Sequence, residues 1–283
     1  MHAVHLGRRS LQIFIVCFAM AAAPGLSDAR AKEPPAGLVR LAAGYAGAVI
    51  IGADGNSLVW RDGTRMVYSD GIERTPAEQF EKSDLRDMMR LKYPRGPDAL
   101  ARPPSGPWLG PWFDPGRNRN EAFFRKMYGA TEREVSSRLV RVAWEPDPGV
   151  HVSFTAVGQA SAHLQAAAHE LAALASRLPA FAPFLQAPLG GTFNWRFIGG
   201  TDKLSVHSFG AAIDINLNSA DYWRNERDFP AYRNRVPLEI VAAFERHGFI
   251  WGGKWEHYDT MHFEYRPELL TGGDGTPWGT QVE

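Results

Sequence analysis

The stretch Ser205-Val206-His207-Ser208-Phe209-Gly210-Ala211-Ala212-Ile213-Asp214 decides how this chain reads. Past Gly210 the residues alternate in an extended run, predicting a strand over 211–217. Ala212, Asp214 and Asn216 point one way, and Ala211, Ile213, Ile215 and Leu217 the other. The second set is an expected core face. That puts Asp214 on the opposite face of an otherwise apolar element, where a carboxylate costs free energy unless something binds it. Gly210 relieves the backbone where the chain must turn, so His207 can fold back to the point Asp214 occupies.

A second stretch, Trp255-Glu256-His257-Tyr258-Asp259-Thr260-Met261-His262-Phe263-Glu264, predicts another short strand over 261–265. His262 and Glu264 share one face and Phe263 faces the core. Two imidazoles and one carboxylate (His207, His262 and Asp214) form a three-ligand set for one zinc ion, with the fourth position left for water. Zinc lowers the pKa of such a water to roughly 7, and a nearby carboxylate must take the proton. Asp259, three residues before His262, is the candidate base. Each residue also has an ordinary use: a packed imidazole for His207, an Arg or Lys partner for Asp214, a turn cap for Asp259. Glu264 reads as a partner behind a ligand or as a surface residue. The joint pattern carries the reading.

The other histidines fit a metal site less well. His169-Glu170 lacks the second His of a zinc-protease helix, Ala173 standing there instead. His163 and His169 do not share a helix face, and His247 precedes Gly248 at an expected helix end. His257 is the remaining rival. There is no Gly-x-Ser-x-Gly elbow, phosphate loop or dinucleotide fingerprint.

Outward from the two motifs, 160–178 is an Ala/Leu-rich predicted helix ending before Pro179, and 237–247 is a helix stopped by Gly248. Residues 150–156 read as a strand and 120–128 as a short helix. Another helix begins at Thr131, with Glu134 completing a capping box. Upstream, 47–68 read as short strands broken at Asp54-Gly55-Asn56 and Asp62-Gly63. The charged segment 75–91 reads as one helix with Thr75 as N-cap and Pro76 at its first position. Seven prolines between 94 and 115 forbid regular structure there. This segment is either a linker or an ordered strap burying Trp108, Trp112 and Phe113.

At the N-terminus, Arg8 and Arg9 precede a short apolar run ended by Pro24-Gly25, with small residues at Ser27 and Ala29. This predicts a cleaved secretory signal over 1–29, with cleavage after Ala31 as the alternative. The single cysteine, Cys17, lies inside it, so the exported chain would hold no disulfide and no Cys nucleophile. Nothing predicts stable membrane insertion after cleavage. The 31 Lys+Arg balance 31 Asp+Glu, which argues against a nucleic-acid binder. Oligomeric state is not legible.

The pattern Ser-x-His-x-x-Gly-x-Ala-x-Asp from Ser205 to Asp214, followed by Asp-x-x-His at 259–262, resembles the D-alanyl-D-alanine carboxypeptidase family of zinc peptidases. That group includes the vancomycin-resistance D,D-dipeptidases and phage L-alanyl-D-glutamate endolysins, and shares its core with lysostaphin-type enzymes and the hedgehog signalling domain. Gly191-Thr-Phe-Asn-Trp-Arg196 and Gly248-Phe-Ile-Trp-Gly-Gly-Lys-Trp255 are similar to the same family. The resemblance covers roughly residues 116–270. It implies that His207, Asp214 and His262 bind zinc, that Asp259 is the general base, and that Arg196 contacts substrate and polarises the scissile carbonyl. Ser205 would orient substrate or brace the site, a plain turn hydroxyl being the other reading. Trp251 and Trp255 would wall the cleft or pack in the core.

The expected fold is therefore α+β, a small antiparallel sheet carrying the zinc site and flanked by helices, preceded by a β-hairpin and Pro-rich extension. The expected division is signal 1–29, extension 30–115, zinc metallopeptidase domain 116–272 and tail 273–283. The implied activity is hydrolysis of peptidoglycan stem peptides in a bacterial periplasm or cell envelope. The alternative is a non-catalytic zinc domain that binds cell-wall peptide or a protein partner, since fold alone does not fix function.

Overall fold

The computed structural model describes residues 33–96, 112–227 and 231–270, all within one contact unit, Lys32–Glu283. The expected signal, Cys17, Trp108 and the tail lie outside the described residues.

Helix α1 (Ala36–Gly44) leads into an antiparallel sheet of β1 (Val49–Ile51), β2 (Ser57–Trp60) and β3 (Arg65–Val67), in that order. Gly55 and Gly63 carry the positive φ values that the two tight turns need. The charged segment differs from expectation by forming two helices, α2 (Pro76–Lys82) and α3 (Leu85–Met88). Thr75 and Glu78 cap α2 reciprocally, and Asp84 and Asp87 cap α3 in the same way. The second cap is what stops the first helix: the Asp84 carboxylate takes the Asp87 N–H at 2.7 Å, competing with a continuing helix. Leu85 and Met88 are fully buried beneath it.

Asn120 caps α4 (Glu121–Tyr128) and Thr131 caps α5 (Glu132–Ser136). The Glu134 carboxylate reaches the Ala130 N–H rather than that of Thr131, so the expected capping box closes one residue early. Next, β4 (Leu139–Ala143) and β5 (His151–Thr155) make an antiparallel ribbon. Then follow α6 (Ala160–Arg177), α7 (Ala182–Leu185), β6 (Leu189–Gly191), β7 (Ala212–Asn216), α8 (Leu238–Arg246), β8 (Phe249–Trp251), β9 (His262–Tyr265) and α9 (Pro267–Leu270). The last four strands form an antiparallel sheet in the order β6-β7-β9-β8, and the architecture is α+β.

Ile213 and Ile215 of β7 and Phe263 of β9 enter a core completed by α6 and α8, where Phe244 stacks on Phe263 at 3.9 Å between centroids. A second core joins Phe123, Phe124, Phe209 and Ala212 to Leu38, Leu58 and Leu85 from the first ninety residues. Leu217 departs from its expected core position, lying 47% exposed. The strand ends at Asn216, whose side chain accepts from the Asn218 N–H and turns the chain before Leu217 can continue the alternation.

Candidate metal centre

Strand register brings two of the three candidate ligands together. Asp214 pairs directly with His262 across β7 and β9, so their side chains rise on one face. Gly190 and Gly191 of β6 face Asp214 from the other side. A Cβ on Gly190 would sit 2.5 Å from the Asp214 Cβ, so only glycine lets β6 lie this close. His207 comes from a 3-10 turn, Val206–Phe209, capped by the Ser205 hydroxyl. Gly210 closes the turn at φ 61, and a Cβ there would meet the Leu139 side chain at 2.4 Å.

His207 Nε2 lies 3.2 Å from Asp214 Oδ1 and 3.2 Å from His262 Nδ1, and His262 Nδ1 lies 2.9 Å from Asp214 Oδ1. The far nitrogen of each ring fixes its tautomer. His207 Nδ1 sits 2.7 Å from the Thr192 carbonyl, which can only accept, so that nitrogen carries the proton. His262 Nε2 sits 3.2 Å from Glu264 Oε2, likewise an acceptor. In those tautomers two nitrogen lone pairs face one carboxylate oxygen, all three residues buried, an arrangement that needs positive charge at its centre, from a bound cation or from a proton on His262. Tetrahedral zinc at about 2.0–2.1 Å from each donor sets its ligands roughly 3.3 Å apart, close to the separations here. The donor set and its spacing fit the metal.

The electrostatics call for the same positive charge. Burial alone would raise Asp214, but the two imidazoles hold its carboxyl well below the usual range. Burial pulls the His262 imidazole down, yet Asp214 and Glu264 more than offset it and push it up to about 10. Behind His262 runs an ionic chain: Glu264 Oε1 accepts from Arg266 Nη1 at 3.0 Å, and Arg266 Nε donates to Glu268. All three members of that chain are buried, and the Arg266 guanidinium also lies 5.2 Å over the Phe124 ring. Glu264 is thus a partner of His262 rather than a surface residue.

Asp259 lines the same cleft as the three converging residues, beside Arg117, Arg196, Ser205, Tyr222 and Trp255. Burial, reinforced by the Asp214 charge, raises its carboxyl to about 6, against the pull of His262, Arg117 and His207. Its Oδ1 is buried with no hydrogen-bond partner. Gly252 packs on its backbone, where a Cβ would lie 2.6 Å from the Asp259 carbonyl oxygen. Arg196 has an exposed side chain, and its backbone is tied to the His207 turn through Ser208 Oγ and the Ser205 N–H. Ser205 spends its hydroxyl on the turn. Trp255 packs 5.5 Å from the His262 ring, whereas Trp251 is a core residue stacked on Phe263. The rival His257 stands apart, bonded through Nδ1 to Asp114 at 2.6 Å.

The residues that sequence reasoning passed over are Thr192, Arg266 and Arg117. The period-two run His262, Glu264, Arg266, Glu268 held a signal for the ionic chain. A backbone carbonyl and an arginine 90 positions before His207 offered none.

A family model described as D-alanyl-D-alanine carboxypeptidase matches residues 199–265, the stretch that holds all three converging residues and Asp259. The match supports a peptidase of that family. No curated protein and no solved structure matches the chain.

Proposed function

We propose that this chain is a zinc-dependent peptidase that hydrolyses peptide bonds in peptidoglycan stem peptides. The observation that carries the reading is the convergence of His207 Nε2, Asp214 Oδ1 and His262 Nδ1 beside the unpartnered Oδ1 of Asp259. The family match at 199–265 supports the substrate class. Export to the periplasm or cell envelope, expected from the N-terminal sequence, is part of the proposal.

A zinc ion held by those three atoms would supply Lewis acidity and a water acidified to roughly pKa 7. Asp259 takes the proton of the attacking water at its free Oδ1, and a carboxyl raised to about 6 holds that proton and then releases it to the leaving amine. Arg196 supplies fixed positive charge where the carbonyl oxygen gains negative charge. Thr192 and Glu264 keep the two imidazoles in the tautomers that present lone pairs inward.

The test is purified, zinc-loaded Asp259→Asn against the parent protein on isolated peptidoglycan, with muropeptides read by mass spectrometry and chelator controls. The variant should keep its zinc and lose turnover by about 100-fold or more. Hydrolysis at the parent rate would end the assignment of the base. A parent protein that binds zinc and cell-wall peptide but releases no new amino groups would point instead to a binding domain.

A further inference from the structure

We infer that Arg117 is the specificity-determining cation of this cleft, binding the free α-carboxylate of the substrate residue that carries the leaving amine. The inference rests on the peptidase reading and goes beyond it by naming the group that must flank the cut bond.

Arg117 lies outside the stretch matched by the family model, on a segment folded against the cleft from the far side of the sequence. Its mooring is specific. Asp114 accepts from the His257 N–H and ring, Phe113 O accepts from the Glu256 N–H at 2.9 Å, and Gly116 O accepts from Arg266 at 3.2 Å. A Cβ on Gly116 would sit 2.2 Å from the Trp255 ring and 2.5 Å from Glu264 Oε1, so the segment lies directly on the wall behind His262. Arg117 then turns back through N–H···O bonds from 117 and 118 to the Asp114 carbonyl.

The guanidinium is held but not neutralised. One nitrogen donates to the His257 carbonyl at 3.3 Å, and the group lies 5.8 Å from the Trp255 ring and 6.0 Å from that of Trp223. Among the described residues no carboxylate forms an ion pair with it. Most of its donors are left for a ligand, already oriented, and a planar fork suits a carboxylate. Two further arginines line the cleft without a carboxylate partner among the described residues: Arg119, buried and donating to the Leu204 carbonyl, and Arg196, which enters beside the His207 turn. Arg117 and Arg196 therefore approach the three converging residues from different walls, and they serve different parts of a substrate. Asp259 returns its proton to the leaving amine, so the leaving residue lies on the Asp259 side. Arg117 is on that side, its guanidinium bonded to the carbonyl of His257, two residues before Asp259. A free α-carboxylate there has two sources: the end of a peptide chain, or a glutamate joined onward through its side chain.

The experiment uses the zinc-loaded protein and three peptides with the same acyl half. One ends in D-alanine with a free carboxylate, one is its C-terminal amide, and one places a side-chain-linked D-glutamate after the cut. Calorimetric binding and product formation are measured for the parent, Arg117→Gln and Arg117→Lys, with zinc content and melting temperature as controls. The parent should favour at least one free-carboxylate peptide over the amide by about 10–100-fold, the worth of charge-assisted hydrogen bonds. Which of the two it favours identifies the source. Arg117→Gln should bring the ratio close to one while zinc content holds, and Arg117→Lys should restore part of it. A parent that binds neither free-carboxylate peptide, or prefers neither over the amide, overturns the inference, as does an Arg117→Gln protein that keeps the preference. Preferential binding without hydrolysis of any peptide counts against the peptidase reading and leaves carboxylate recognition by Arg117 in force.

Discussion

The two imidazoles of the centre are braced in opposite ways. His207 leans on a backbone carbonyl, that of Thr192, inside a tight turn sealed by Ser205 and Gly210. His262 leans on a side-chain carboxylate, which leans on a buried arginine, which leans on a second carboxylate. A carbonyl cannot be mutated away and carries no net charge to desolvate. A buried ionic chain can be cut at any link, and each cut leaves a charge unpaired in the interior. Mutation should therefore reach one side of the candidate metal site far more easily than the other.

Four substitutions probe that asymmetry. Removing a ligand outright, His207→Ala, should abolish stoichiometric zinc and bring hydrolysis to background, measured by metal analysis and product release. Retained zinc at full occupancy would break the ligand set. Arg266→Met, which strands Glu264 and Glu268, should cost about 3–5 kcal/mol in denaturant unfolding. An unchanged midpoint would mean the ionic chain is not what holds that wall. Glu264→Gln keeps the shape but weakens the brace, and should lower zinc affinity or activity by about 10–100-fold in competition with a chelating dye. At the His207 end, Thr192→Val spares the carbonyl and deletes only the hydroxyl bond to Ser153 O, 2.6 Å long. It should cost about 1 kcal/mol of stability and leave zinc affinity within about twofold. If Thr192→Val loosened zinc as much as Glu264→Gln, the contrast between the two braces would be gone.

Metal removal tests the site as a whole. Zinc present at 1,000 times its dissociation constant should add about 4 kcal/mol to stability. Stripping it with chelator should then lower the melting temperature by roughly 8–16 °C for a chain of this size. No shift would mean that the three donors bind no ion in the folded state.

How much of this could be read from the residues follows from the range of each interaction. The convergence of His207, Asp214 and His262 was legible because two short motifs carry it. In one a glycine turn feeds an alternating strand, and in the other His262 and Glu264 share a strand face. The helix at 160–177 was equally plain, its alanines and leucines running unbroken to a proline. Strands β6 and β8 were not foreseen: each is three residues, too few for alternation, and neither is flanked by the Asp-Gly turns that marked the equally short β1 and β3; β4 buries only Val142. The segment 75–91 misled because a helical charge pattern continued across Asp84, whose side chain ends one helix and starts the next. Arg117 was invisible for a different reason. It reaches its place through contacts spanning some 140 positions, and nothing local marks it.

That span bears on how the molecule assembles. Local hairpins and helices can form early, but the segment 112–119 can dock only after the chain through Arg266 has been made and folded, because its moorings are His257, Glu256 and Arg266. A fragment trimmed to the recognisable motif region would hold every proposed metal donor and yet arrive without the wall proposed to sort its substrates. Appetite would come before taste.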